Sequence, residues 1–363
     1  MITTLQIRNF RGFQDVTLRE LRRVNLLVGG NDTGKTSVLE ALILLLGDGS
    51  SISDLPVTFR NNQLGGRPGN NPDDRENFWS WLFYDRNPDH EIRIIAEMDS
   101  QRILTLTTQA IPEGQYANAA KIPVLVRSDD RGPQGQRDRF GNYLPNPARG
   151  PQPAQELIRF ERAQINVVGH PSPTSFQVAR LSVRPSDPVQ DAEKYNQIAL
   201  EAGGEARFEN IMREVEPRLK RLRYAKLPGT NSPLVFADIG LSRAVPSTQM
   251  GQAFNRILHI YAEILTSKTN VLLIDEIENG IFSESLAVIW KGLFAVCEAQ
   301  NVQIFATTHS RECVMSANLA AHDRGKDELS VQRLQIVSGK IEAIRLGVEH
   351  LEVASEMGLE VRS

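Results

Sequence analysis

Cysteine is scarce in this chain, with only Cys297 and Cys313 among 363 residues. They show neither CxxC spacing nor clustered histidines nearby, which disfavours a disulfide framework and a zinc site and favours a cytoplasmic protein with two ordinary thiols. No run of about 18 uncharged apolar residues occurs, so we expect no membrane-spanning helix. The first residues, MITTLQIRNFRGF, alternate apolar and polar side chains and lack an apolar signal core.

The chain also has little net charge. Its formal value of -3 implies no overall attraction to nucleic acid, although it is compatible with a local basic surface. A composition of 40% hydrophobic and 23% charged residues is typical of a folded globular protein. The length is large for one simple core and small for three domains.

Apolar patterning predicts an α/β fold at the start of the chain. Residues 3–10 have the alternation of a half-buried strand, with 16–21 as its antiparallel neighbour. VNLLVGG at 24–30 is a short continuous apolar run, the form of a buried parallel strand. From Lys35 to Gly47 the pattern changes to a helix that is apolar almost all round.

The middle of the chain is less regular. We predict loop structure over 48–77 and an irregular insertion over 128–154, because both are rich in loop-forming residues. Residues 187–223 are expected to be mostly helical. Strands are predicted in four segments: 91–98, 102–108, 165–169 and 176–183.

Helices and strands alternate again after a break at 228–233. The prediction is a helix at 249–265, the strand NVLLID, a helix at 284–299, the strand NVQIFATT and a helix after His309. This alternation is typical of an α/β unit with a parallel sheet.

GGNDTGKT, residues 29–36, fits the phosphate-binding pattern GxxxxGK[ST]. A buried strand precedes it and a helix follows, which is the context the motif requires. Backbone amides of the loop and of the helix start would surround phosphate oxygens. Lys35 would reach the β- and γ-phosphates of ATP, and Thr36 would bind Mg²⁺. The other residues expected to contact nucleotide here are Gly30, Asn31, Asp32, Thr33, Gly34 and Ser37. A glycine turn without a ligand is the alternative.

VLLIDEIENG, residues 271–280, is a buried strand that ends in a cluster of like charges. Ligands of doubly wound sheets bind beyond the carboxyl ends of the strands, so these acids should face the same crevice as the glycine loop. Asp275 is expected to hold magnesium, usually through water, and Glu276 to activate the attacking water. Magnesium and Lys35 would supply the compensating positive charge. The alternative for Asp275 and Glu276 is that they only form the polar end of a strand. Glu278 is expected to be a solvated turn residue.

NVQIFATTHS supplies a second buried strand that ends in polar residues. His309 lies one β-α unit after the acidic pair, where its imidazole could donate to the γ-phosphate or hold the attacking water. The alternative is a histidine with a structural role only, whose hydrogen bonds are made within the fold.

Taken in this order, the segments resemble the ABC-type ATPase head of the branch that includes the structural-maintenance-of-chromosomes (SMC) proteins, RecF and the overcoming-lysogenisation-defect (OLD) nucleases. The residues that carry the resemblance are LQIRNFRGF, GGNDTGKTSVLEAL, STQMGQAFNRIL (247–258), VLLIDEIENG and NVQIFATTHS. It implies a P-loop NTPase fold with a mixed sheet, an antiparallel N-terminal β portion and an inserted helical or irregular region. The head would comprise residues 1–110 and 230–363, with the insertion at 111–229.

The resemblance further implies a head-to-tail homodimer that sandwiches two ATP molecules with Mg²⁺, and it allows a higher oligomer. Each glycine loop would be completed by the signature segment of the other subunit. Gly251 matches the signature glycine, whereas Gln249 stands where relatives have serine. A shifted register would place Thr248 or Ser247 there instead, and an ordinary capped helix is the alternative. Arg8 and Arg11 match basic positions near the nucleotide phosphates of relatives, with an ordinary surface charge as the alternative.

The function implied is ATP binding and hydrolysis that regulates a separately encoded, nuclease-like effector in DNA maintenance or phage defence. No second carboxylate cluster follows His309, so nuclease activity of this chain itself is not expected. The nucleotide-binding subunit of a membrane transporter is a second hypothesis, which is disfavoured because STQMGQ differs from the transporter signature LSGGQ. A binding scaffold with a structural ATP site is a third hypothesis.

DNA or RNA could contact the arginines of the middle region, although interspersed aspartates favour a solvated loop. These arginines are Arg127, Arg131, Arg137, Arg139 and Arg149. Core packing is favoured over base stacking for Trp79 and Trp81.

Overall fold

The computed structural model describes residues 1–47, 80–87, 89–99, 103–109, 124–130, 136–137, 143–144, 155–161, 164–169, 177–182, 187–226, 229, 232–266 and 269–347. The chain divides into two compact units. The first comprises Met1–Leu21, Gly29–Phe176 and Gln332–Arg345, and the second comprises Arg22–Val28, Gln177–Val331 and Leu346–Ser363. The domain boundaries expected from the sequence stay a prediction.

The first unit contains a seven-stranded antiparallel sheet with the order β10-β9-β6-β5-β4-β1-β2. Its strands are β1 (Ile2–Phe10), β2 (Phe13–Leu18), β4 (Arg93–Met98), β5 (Ile103–Gln109), β6 (Val124–Asp130), β9 (Gln155–Glu161) and β10 (Gln164–Gly169). Helix α1 (Lys35–Leu46) packs on β1, β4 and β5. All residues of α1 except Thr36 are buried, which confirms the expected all-round apolar helix.

Strands also occur within the segment predicted to be irregular. Residues 128–130 belong to β6, and the short strands β7 (Gln136–Arg137) and β8 (Tyr143–Leu144) pair with each other. The high glycine and proline content of this segment predicted irregular structure, so these strands were not predicted. The predicted loop at 48–77 lies outside the described residues.

The second unit is built on four parallel strands in the order β11-β15-β16-β3. These are β3 (Val24–Val28), β11 (Val178–Leu181), β15 (Val271–Ile274) and β16 (Gln303–Thr307), and every residue of β3, β15 and β16 is buried. Central parallel strands are covered on both faces, which explains their continuous apolar runs. The parallel α/β arrangement predicted for this part is confirmed.

Five helices of the described residues belong to the second unit. They are α2 (Pro188–Leu200), α3 (Gly204–Val215), α4 (Gln252–Thr266), α5 (Ser283–Gln300) and α6 (Arg311–Asp323). A small antiparallel sheet of β12 (Arg221–Lys226), β13 (Pro233–Asp238) and β14 (Val245–Pro246) was not expected. The last strands are β17 (Leu329–Val337) and β18 (Lys340–Leu346). Within the described ranges, no helix combines the length and apolar character required for crossing a membrane.

Both cysteines lie in the core of the second unit and are 0% exposed. Burial raises the pKa of the Cys297 and Cys313 thiols to about 12. Because the thiolate is the reactive form, we expect a disulfide reagent at neutral pH to label neither cysteine in the folded protein and both after denaturation. Rapid labelling of the folded protein would contradict these positions.

Candidate functional site

The predicted glycine loop directly follows β3 and ends at the start of α1. Gly34, the residue before the helix, has the left-handed backbone conformation with φ 90°. A Cβ atom at Gly34 would lie 2.6 Å from the ring of Phe13. Both the backbone angle and the close ring therefore require glycine here.

Lys35 points into its own loop. Its side chain is almost fully buried, and Nζ donates hydrogen bonds to the carbonyl oxygens of Gly29 (2.9 Å) and Gly30 (2.7 Å). The hydroxyl of Thr33 also donates to the carbonyl of Gly30, at 2.9 Å. The ammonium is thus held by the loop that is expected to surround phosphate.

The remaining loop residues differ in exposure. Asn31 and Asp32 are exposed, Gly30 and Thr36 are half-buried, and Ser37 is buried in the first turn of α1. Their predicted contacts with nucleotide stay predictions.

Arg11 is held by an acidic side chain that sequence reasoning did not single out. Its Nη2 donates to Oε1 of Glu40 at 3.2 Å, and its Nε lies 3.1 Å from Oε2 of the same carboxylate. Glu40, on α1, is 0% exposed, so the ion pair neutralises a buried charge. Arg11 therefore anchors the β1–β2 turn to the helix that follows the glycine loop, whatever further part it has in nucleotide binding.

The core interpretation of Trp81 is wrong. Its side chain is 50% exposed, and the guanidinium of Arg86 lies over the ring, 4.3 Å from its centroid. Trp79 lies outside the described residues, as do the side chains of the five arginines considered for nucleic-acid binding.

In the second unit, the strand order places the ends of β15 and β16 side by side, and β3 lies on the other side of β16. Asp275 follows β15 directly and is 6% exposed. Its Oδ1 accepts a hydrogen bond of 2.7 Å from the hydroxyl of Thr307, the last residue of β16. The same hydroxyl accepts a 2.8 Å hydrogen bond from the backbone N–H of Glu276. Thr307 thus joins both predicted residues.

A half-buried arginine contacts the main chain of this acidic strand end. Arg256, on α4, donates to the backbone oxygens of Asp275 (2.9 Å) and Glu276 (3.3 Å). Burial lowers the pKa of its guanidinium, while the charges of Asp275, Glu278 and Glu276 act in the opposite direction. Arginine nevertheless keeps its charge in proteins, so Arg256 supplies compensating positive charge in addition to that expected from Lys35 and magnesium.

Glu278 is not the solvated turn residue that the sequence suggested. It is half-buried, and its Oε1 accepts a 2.7 Å hydrogen bond from the backbone N–H of His309. Its Oε2 is buried without a hydrogen-bond partner in the structure. Glu278 therefore connects the segment after β15 to His309, the histidine expected to act on the γ-phosphate.

The predicted signature residues are accessible. Gln249 ends a short 3-10 turn, Ser247–Gln249, and Gly251 precedes the first residue of α4. Both residues are exposed, and a Cβ atom at Gly251 would have no neighbour within 4 Å. On the adjacent loop, a Cβ atom at Gly280 would lie 3.0 Å from the Cβ of Gln252, so this loop packs against the start of α4.

Comparison with known proteins supports an ATPase. Residues 1–164 match the model of an AAA ATPase domain. A protein of Helicobacter pylori named ATP/GTP phosphatase is 21% identical over 359 residues, covering 86% of each chain. The DNA replication and repair protein RecF of Idiomarina loihiensis is 33% identical over 146 residues, which cover 38% of this chain and 36% of RecF.

Among solved structures, an SMC head bound to the C-winged helix domain of ScpA has a TM-score of 0.51. The match is 10% identical and covers 97% of this chain and 99% of the SMC chain, so it shows the fold alone. It agrees with the mixed α/β, P-loop NTPase architecture predicted from the sequence. Together, these similarities support the ABC-like ATPase of the SMC, RecF and OLD type that the sequence motifs resemble.

Proposed function

We propose that this ATPase is a nucleotide-driven dimer whose closure regulates a separate effector protein. The observation that carries the proposal is the exposed start of α4, where Gln249 and Gly251 are accessible beside a loop that ends in the exposed Phe282. The N-terminus of a helix carries unpaired N–H groups and the positive end of the helix dipole, which favour a phosphate group. In a dimer, the phosphate would belong to the nucleotide of the other subunit.

For the nucleotide itself, we assign the triphosphate to the glycine loop, with Lys35 on the β- and γ-phosphates. Thr36 and Asp275 would bind Mg²⁺, since magnesium at nucleotide sites takes one or two protein ligands in addition to phosphate oxygens and water. The order of strands supports this assignment, because β3 continues into the loop and is separated from β15 only by β16. Magnesium would compensate the charge that develops on the phosphates.

Glu276 is proposed to orient and deprotonate the attacking water, and His309 to stabilise the γ-phosphate or hold that water. Both follow neighbouring strands of one sheet, and both are held in place by hydrogen bonds to the main chain. The name of the Helicobacter pylori relative, ATP/GTP phosphatase, supports hydrolysis of a nucleoside triphosphate.

Closure of the dimer follows from the thermodynamic linkage between ATP binding and dimerisation. ATP that contacts both subunits binds the closed dimer more tightly, and a ligand shifts an equilibrium only by such differential affinity. Hydrolysis removes the bridging phosphate and reopens the dimer.

The effector would be a separately encoded, nuclease-like protein in DNA maintenance or phage defence, with DNA or RNA as a further partner. The solved SMC head carries a domain of ScpA, so a head of this fold can hold a partner protein. The RecF relative is named for DNA replication and repair.

The exposed glycine offers a direct test of the dimer. A Cβ atom at Gly251 has no neighbour within 4 Å, and a glutamate there would place a negative charge against the γ-phosphate of the other subunit. We expect Gly251→Glu to retain the melting temperature and ATP affinity of the wild type while losing ATP-dependent dimerisation and most hydrolysis. Light scattering with and without ATP and a phosphate-release assay measure both effects.

Leu200→Glu is the matched control, because Leu200 is 80% exposed at the end of α2. It should dimerise and hydrolyse ATP as the wild type does. A Gly251→Glu protein that still dimerises and turns over ATP would exclude the trans arrangement.

A further inference from the structure

Glu276, the proposed base, has a strained main chain. Its φ of 47° lies in the left-handed region, which residues other than glycine rarely adopt. Such conformations cost free energy and persist only where the surrounding structure enforces them; they concentrate at active sites. Neither of its neighbours, Asp275 and Ile277, has a positive φ. The strain is therefore local to the residue whose carboxylate is expected to act on water.

Three groups hold this conformation by binding the main chain. The N–H of Glu276 donates to the hydroxyl of Thr307 at 2.8 Å, and its carbonyl accepts from the N–H of Asn279 at 3.0 Å. Arg256 adds a hydrogen bond of 3.3 Å to the same carbonyl and one of 2.9 Å to the carbonyl of Asp275. The conformation is thus fixed from both neighbouring secondary-structure elements, β16 and α4.

The hydroxyl of Thr307 is well suited to this role because its environment determines its orientation. Thr307 is 1% exposed, and its single hydrogen is donated to Oδ1 of Asp275 at 2.7 Å. An oxygen lone pair then faces the N–H of Glu276. A hydroxyl has one donor and two acceptor positions, so the Thr307 hydroxyl can donate to Asp275 and accept from Glu276 at the same time.

Arg256 is equally constrained. Besides the two carbonyls after β15, its Nη1 donates at 2.7 Å to the carbonyl of Ser182, which follows β11. The planar guanidinium presents its donors in a fixed fork, so it holds the ends of two neighbouring strands in one arrangement. It also links them to α4, which begins one residue after Gly251.

We propose that Thr307 and Arg256 are positioning residues that hold Glu276 in the strained backbone conformation needed for attack by water. The inference rests on the proposed function of Glu276 as the base. Without the Thr307 hydroxyl the main chain of Glu276 relaxes toward an unstrained conformation and its carboxylate leaves the attacking water. ATP binding is maintained, because the glycine loop is not altered.

The test compares Thr307→Val, which keeps the shape of the side chain, with Thr307→Ser, which keeps the hydroxyl. We expect Thr307→Val to lower kcat about 100-fold, as small misplacements of a catalytic group do, with little change in the dissociation constant of a fluorescent ATP analogue. It should also need more Mg²⁺ for half-maximal activity, because Asp275 loses its partner. Thr307→Ser should recover most of the wild-type kcat.

Arg256→Met separates the two effects, since it removes the bonds to the main chain without touching the Asp275 carboxylate. Here kcat should fall while the Mg²⁺ requirement does not rise, because Asp275 keeps its hydrogen bond to Thr307 and the acidic strand end loses a nearby positive charge. Wild-type kcat in both Thr307→Val and Arg256→Met, or an equal loss in the Val and Ser variants, would overturn the inference. If Thr307→Val does not fold, kcat of Arg256→Met decides: a folded Arg256→Met protein with the kcat of the wild type overturns the inference.

Glu276→Gln, measured alongside, distinguishes the two levels of the proposal. If it abolishes turnover while Thr307→Val does not, the base assignment stands and the positioning role fails. If Glu276→Gln hydrolyses ATP normally, the proposed base is wrong and the positioning role falls with it.

Discussion

Replacing Lys35 by alanine is expected to weaken ATP binding by roughly a hundredfold or more. A hydrogen bond to a charged group contributes about 1.5–3 kcal/mol, and each 1.4 kcal/mol changes a dissociation constant about tenfold. Lys35 is expected to bind two phosphate groups, so the loss of binding free energy should lie at the upper end of this range. Titration with a fluorescent ATP analogue measures it, and ATP hydrolysis should be lost in parallel.

This variant must be separated from simple loss of structure. Lys35 is almost fully buried, and its ammonium binds the carbonyls of Gly29 and Gly30, which alanine would leave without that donor. Lys35→Arg is the matched variant, because it keeps the charge but changes the geometry of the donors. A folded Lys35→Ala protein that binds ATP with wild-type affinity would refute the assignment of the glycine loop.

Replacing Glu276 by glutamine should separate hydrolysis from binding. General base catalysis typically contributes about 10²–10⁴-fold to a rate, and we expect kcat to fall by that order while ATP affinity is retained. The amide is nearly isosteric with the carboxylate, and the backbone hydrogen bonds to Thr307 and Arg256 do not depend on the side chain. Because ATP then persists in the site, the protein should accumulate as a dimer with twice the mass of one chain.

Glu284→Gln is the corresponding control, since Glu284 is an exposed glutamate in the first turn of α5. It should hydrolyse ATP at the wild-type rate and dimerise only transiently. Wild-type turnover by Glu276→Gln would show that another group activates the water, with His309 the next residue to test.

The elements that surround the predicted site were predictable because their signals are local. A buried strand, a glycine turn and a helix follow one another over 24–47, so β3 and α1 could be located from the apolar run, the glycines and the helical pattern alone. The same holds for β15 and β16, whose apolar runs end in Asp275 and Thr307–Thr308. In contrast, β12–β14 were missed. β12 is mostly polar, β14 has only two residues, and the apolar run LVFA of β13 directly follows loop-forming residues.

The supporting residues could not be predicted in this way. Thr307 is 32 positions from Asp275, His309 is 31 positions from Glu278, and Arg256 is 19 positions from Asp275. Such pairs meet because neighbouring strands and an overlying helix bring their ends together. The sequence held no signal for Arg256, because this residue falls in the polar stripe of α4 together with Gln252, Asn255, His259 and Glu263.

By itself, the sequence determined the strand–loop–helix unit around Lys35, the buried strands of the parallel sheet and the acidic end of β15, because these depend on the conformational preferences and polarity of consecutive residues. Only the tertiary structure decided that Arg256 supports this end, that Glu278 binds the main chain of His309 and that Glu276 has a left-handed backbone. Hydrogen bonds form between groups that are close in space, and the order of strands in a sheet is not encoded in any single segment.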